Sequence, residues 1–150
     1  QYLDYDGDGN LDNPGDGYGS LSNGENRLGY LQETAMYVKS ATESPDSTPN
    51  IRTSGENVLI CLQNMEGWTN EILQLALQLN GTPANSDIES IVTKLSVLGN
   101  KLVHGVDTDE NGLIDPLAGE CGADTAYEYA YLMADMQIYI GPDRIPPSGK

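Results

Sequence analysis

From Val58 to Leu79 the chain repeats one pattern without a break. Val58, Leu62, Met65, Thr69, Ile72, Ala76 and Leu79 follow one another at alternating steps of four and three. That step keeps all of these side chains on one face of an α-helix. Cys61, Trp68 and Leu75 widen the face. A stripe this wide must be buried, so the rest of the chain has to supply something that covers it. A coiled-coil partner would do so, but the run is only about three heptads long, and the core of a helix bundle suits it better.

The neighbouring stretches can provide that core. Ser20–Ala41 reads as a first helix, with Leu28, Leu31, Ala35 and Val38 at helical spacing and Gly24 and Gly29 weakening its first half. Thr42–Gly55, rich in Ser, Thr and Pro, reads as a linker. The central helix then covers Glu56–Leu79, and Asn80-Gly-Thr-Pro turns the chain. A third helix opens at Ser86, with Glu89 completing a capping box, and runs to about His104. Its expected buried face is Ile88, Ile91, Val92, Leu95, Leu98 and Leu102. A fourth runs from Gly122 or Ala123 to about Ile140. Ala126, Ala130 and Ala134 allow close approach there, and Tyr127, Tyr131, Met133 and Ile138 add bulk. Gly141-Pro142 stops it, and a Pro-rich tail occupies 141–150. The expectation is one all-α domain over residues 1–150, an antiparallel four-helix bundle.

Between the third and fourth helices lies Asp107-Thr-Asp-Glu-Asn-Gly-Leu-Ile-Asp115-Pro-Leu-Ala-Gly-Glu120. Oxygen-bearing side chains stand at alternate positions, then a glycine, an aliphatic residue and another aspartate. A hard cation wants such a set: calcium takes six to eight oxygens, and a tight loop can supply them from positions 1, 3, 5, 7 and 9. Those positions are Asp107, Asp109, Asn111, the Leu113 carbonyl and Asp115. Gly112 permits the sharp turn, and Ile114 is the apolar residue that pins such a loop to a core. Residues 4–16 repeat the pattern with Asp4, Asp6, Asp8, Asn10 and Asp12.

These two loops resemble EF-hand-type calcium loops, including the shorter dockerin-like variety. The resemblance covers 107–120 and 4–16 and implies two calcium ions. Both loops depart from the family at position 12, where a bidentate Glu belongs. Ala118 stands there in one and Gly15 in the other, so Glu120 and Asp16 are expected to close the two shells. Only Gln1–Leu3 precede the first loop. It lacks an entering helix, and its other side must rest elsewhere in the fold or on a neighbour. The bland alternative is a pair of solvated acidic turns; the same residue types at the same spacing twice favour metal. An all-oxygen set selects calcium over zinc, which prefers nitrogen and sulfur, and over magnesium, which wants rigid octahedra.

Charge narrows the partners. The formal net charge is -16 with seven Lys and Arg, which makes nucleic acid a poor partner. No stretch approaches the length of a membrane span. So acidic a chain repels itself when compact, and bound cations would relieve that. Gln1 stands where an initiator methionine would, as a removed leader or a piece of a longer chain would leave it. Cys61 and Cys121 have no CxxC spacing and fit one disulfide in an oxidising compartment, or two buried thiols. A disulfide would join the central helix to the exit of the second loop.

No nucleophile motif or phosphate-binding loop occurs, and no catalytic residue stands out. His104 is the only histidine; at a helix C-terminus it is expected to cap carbonyls. Nine tyrosines and no phenylalanine suit half-buried sites and interfaces. The expected function is structural: a secreted or cell-surface protein, not an enzyme, made rigid by calcium and assembling with copies of itself into a filament or matrix. The rivals are a dockerin-like module that docks on another protein, and an extracytoplasmic enzyme with unidentified acidic residues. A dockerin would hold its two loop-helix segments close together, whereas these lie about a hundred residues apart.

Overall fold

The computed structural model describes residues 19–22, 28–83 and 87–135. Among them are four α-helices and no strand: α1 Tyr30–Glu43, α2 Pro49–Asn80, α3 Glu89–His104 and α4 Ala123–Met133. The first loop (4–16), Ser86 and the tail (141–150) lie outside the described residues. None of the described helices is long and apolar enough to cross a membrane.

α2 is the spine. At 32 residues it is the longest element, about 48 Å at 1.5 Å per residue. It packs against α1, α3 and α4; α3 and α4 also touch, whereas among the described helices α1 packs on α2 alone. Helix packing of this kind is consistent with a bundle. The central stripe forms its core: Val58, Cys61, Leu62 and Trp68 are buried on α2, joined by Ile91 and Leu98 of α3, Ala126 of α4 and Cys121.

α2 begins earlier than its composition suggests. Most of the expected linker is helix, and only 44–48 connects α1 to α2. Pro49 holds the first helical position, where a fixed φ helps and the missing N–H costs nothing. Ser54 and Gly55 are buried, so their small side chains are packing residues rather than linker residues. A Cβ on Gly55 would run into the Thr42 methyl of α1. Asn50 ties this end of α2 to the end of α4. Its Nδ2 donates to the carbonyls of Leu132 at 3.2 Å, Met133 at 3.3 Å and Asp135 at 2.6 Å, satisfying acceptors that a helix terminus leaves open.

α1 starts at Tyr30, ten residues after the expected Ser20. The Gln32 side chain accepts a hydrogen bond from the Gly29 N–H at 2.9 Å and donates to Glu66 of α2 at 2.8 Å. One carboxamide thus caps α1 and docks it. The buried face of α3 is narrower than expected. Ile91 and Leu98 are buried, while Ile88 and Val92 are exposed, as suits a helix covered chiefly from one side. On α4 only Ala126 of the three alanines is buried, and Tyr127 and Tyr131 point to solvent at 74% and 70% exposure instead of filling space.

Candidate metal centre

The segment 105–122 leaves α3, circles and enters α4 through a narrow neck. Val106 N–H donates to the Glu120 carbonyl at 2.8 Å. At the neck Gly105 faces Gly122. A Cβ on Gly122 would lie 2.8 Å from the Gly105 nitrogen and 2.6 Å from the Lys101 carbonyl. Gly105 has φ 79°, and a Cβ there would overlap the Glu120 carbonyl oxygen. Gly105→Ala therefore meets both backbone strain and collision, and should cost about 2–4 kcal/mol in a urea unfolding midpoint. Gly67, mid-helix with nothing within 4 Å of an added Cβ, is the control. Gly67→Ala should add about 0.5–1 kcal/mol.

Inside the loop, acids converge. Carboxylate oxygens of Asp107, Asp109 and Glu120 all lie within 4.8 Å of one another, so this acidic cluster could hold a metal ion. The main chain wraps them. Asp107 accepts from the N–H groups of Asn111 at 3.1 Å and Gly112 at 2.8 Å. Asp109 accepts from Asn111 N–H at 3.2 Å. Asn111 Nδ2 donates to Asp109 at 3.2 Å and to Asp115 at 2.8 Å, and its Oδ1 accepts from Leu113 N–H at 2.8 Å. Asn111 and Asp115 are thus bonded into the cluster. Leu113 is 63% exposed. Gly112 takes φ 86° at the turn. Ile114 packs on the core around Cys61, Cys121 and Ala126.

Glu120 differs from the other acids because it is fully buried. Its Oε1 accepts from Asp115 N–H at 2.9 Å and its Oε2 from the Thr108 hydroxyl at 3.0 Å. No lysine or arginine pairs with it among the described residues. A buried carboxylate held only by neutral donors is expensive while it stays ionised. Two further acids lie beside it, which raises that expense, and a cation among the three would offset it.

α2 holds the exit of the loop. Cys61 and Cys121 form a disulfide with Cα atoms 5.0 Å apart, both ends fully buried. One turn along the same face, Asn64 Nδ2 donates to the carbonyls of Leu117 at 2.8 Å and Cys121 at 3.2 Å, and Asn64 Oδ1 accepts from Gly119 N–H at 2.7 Å. Asn64 escapes a reading of the loop alone, and Thr108 falls between the alternate positions that the ligand pattern selects. The signal for Asn64 was its position: three residues past Cys61 puts it on the same helix face.

His104 does not cap its helix as expected. Its Nδ1 lies 2.7 Å from Asp124 Oδ2 across the neck, because the first turn of α4 presents an acid there. Away from the loop, a groove of about 650 Å³ runs between α2 and α3, with Leu75, Val97 and Leu98 among its lining and no member of the acid cluster. A comparison with protein-family models, curated proteins and solved structures finds no match for the chain.

Proposed function

We propose that the chain is a calcium-stabilised structural protein of the secreted or cell-surface kind, a subunit that assembles with its own copies and not an enzyme. The observation that carries the reading is Glu120: a fully buried carboxylate, without a cationic side chain beside it among the described residues, turned toward Asp107 and Asp109. The EF-hand-like spacing assigns the remaining oxygens to Asn111, the Leu113 carbonyl and Asp115, with calcium at about 2.3–2.6 Å from each. By the same spacing, Asp4, Asp6, Asp8, Asn10, Asp12 and Asp16 hold a second calcium. The antiparallel bundle is part of this reading. In its support, the start of α2 meets the end of α4 through Asn50, while mid-α2 meets the chain just before α4 through Cys61.

A buried disulfide suits an oxidising compartment, where calcium is abundant. Tyr30, Tyr37, Tyr127 and Tyr131 are exposed, and tyrosine suits contact surfaces. These favour assembly over catalysis. Light scattering of the purified protein, with calcium and then with chelator, tests the whole reading. Multimers that dissociate in chelator are expected; a monomer at high concentration in calcium would refute self-assembly.

A further inference from the structure

Glu120 sits between two residues that α2 holds. On one side Gly119 N–H donates to Asn64 Oδ1 at 2.7 Å. On the other, Cys121 is bonded to Cys61 through sulfur and to Asn64 Nδ2 through its carbonyl at 3.2 Å. The Leu117 carbonyl that accepts from Glu120 N–H at 3.1 Å is itself held by Asn64 at 2.8 Å. One carboxamide, with every contact directed at the 117–121 turn, and one covalent bond therefore fix the backbone from which the buried carboxylate projects. Asp107 and Asp109 have no such tether to α2. They are placed by the loop's own N–H groups.

From this we infer that Asn64 and the Cys61–Cys121 bridge position the Glu120 arm of the ion site, so that ion affinity and the bridge's resistance to reduction rise and fall together. The inference rests on the reading that the acid cluster binds calcium. Groups that orient ligands without touching the ion commonly change metal affinity by about 10–100-fold. Coupling of this kind is reciprocal: if the bridge strengthens calcium binding by some factor, calcium must oppose opening of the bridge by the same factor. Opening it with a dithiol transfers two electrons and two protons. The Sγ–Sγ bond breaks, Cys61 and Cys121 become thiols, and the dithiol closes to its own disulfide.

The test uses the full chain and calcium alone as ligand. Calcium Kd is measured for the oxidised protein, the dithiol-reduced protein, Asn64→Ala and Asn64→Asp, with helicity followed by circular dichroism. About tenfold weakening is expected in each altered form. Asn64→Asp is the discriminating variant. It removes the amide donors yet adds a negative charge near the site, so charge alone would tighten binding while lost positioning loosens it. In parallel, the dithiol equilibrium is measured in saturating calcium and in chelator. Calcium should disfavour reduction by the factor found for Kd. If the reduced chain unfolds, the Asn64 variants, read in the oxidised state, still decide the matter. Equal Kd in every folded form, or a reduction equilibrium indifferent to calcium, would overturn the coupling and leave the calcium reading intact. An oxidised parent protein that binds no calcium would overturn both.

Discussion

Replacing Cys61 and Cys121 by serine, or holding them reduced, should lower the melting temperature by roughly 8–16 °C. The bridge closes a loop of 60 residues in sequence. Chain-entropy reasoning assigns such a closure about 4 kcal/mol, and each kcal/mol shifts the melting point of a domain this size by about 2–4 °C. The effect is large because the rest of the core is thin. Among the described residues the buried apolar side chains are Val58, Leu62, Trp68, Ile91, Leu98, Ala126 and the two cysteines themselves. The cysteines anchor a cluster in which Ile60, Met65 and Ile114 are only partly buried. Differential scanning calorimetry of the double serine variant in saturating calcium measures the loss. A melting point within about 2 °C of the parent would show that the loop exit is held by packing alone.

Removing calcium is expected to act in the same direction, somewhat less strongly. An ion present at about one hundred times its Kd stabilises the folded chain by about 2.7 kcal/mol. Its loss also leaves Asp107, Asp109 and Glu120 facing one another without a counter-charge. In excess chelator the melting temperature should fall by roughly 5–10 °C. Asp107→Ala should reproduce part of the fall in calcium, and Asp4→Ala another part if the first loop also holds an ion. A melting curve unchanged by chelator would exclude a structural role for the ion.

Which features can be read from the sequence follows from how local their causes are. The four-three step of α2 is a property of one stretch, and a helix covers it; Val58 and Leu62 of that step are buried together with Cys61 and Trp68, whereas Ala76 toward the far end is exposed. The convergence of Asp107 with Asp109 is likewise local, because alternate positions of a tight loop share a side. The Cys61–Cys121 bridge needs only the two cysteines present. What composition hides is context. Pro49, Ser54 and Gly55 resemble a linker by residue type, yet Pro suits the first helical position, Ser54 is buried, and Gly55 is small because side chains of α1 and α4 lie against it. The α3 pattern offers six apolar positions, but the neighbours leave Ile88 and Val92 in solvent. The role of Asn64 depends on a turn more than fifty residues away, visible only after the disulfide brings it near. The contact of His104 with Asp124 similarly arises from the neck and not from either helix alone.

The central claim is that a buried carboxylate at the loop exit serves a bound calcium ion. Isothermal titration of calcium into metal-free parent protein and into Glu120→Gln tests it most directly. Glutamine keeps the shape, and its Oε1 can still accept from Asp115 N–H while its Nε2 donates to the Thr108 hydroxyl oxygen, but it lacks the charge. The parent should bind calcium with a Kd no weaker than about 10⁻³ M, and Glu120→Gln should lose at least about tenfold in affinity at this site while remaining folded. A parent that takes up no calcium at about ten times that concentration, or a folded Glu120→Gln protein that binds calcium as the parent does, would contradict the claim.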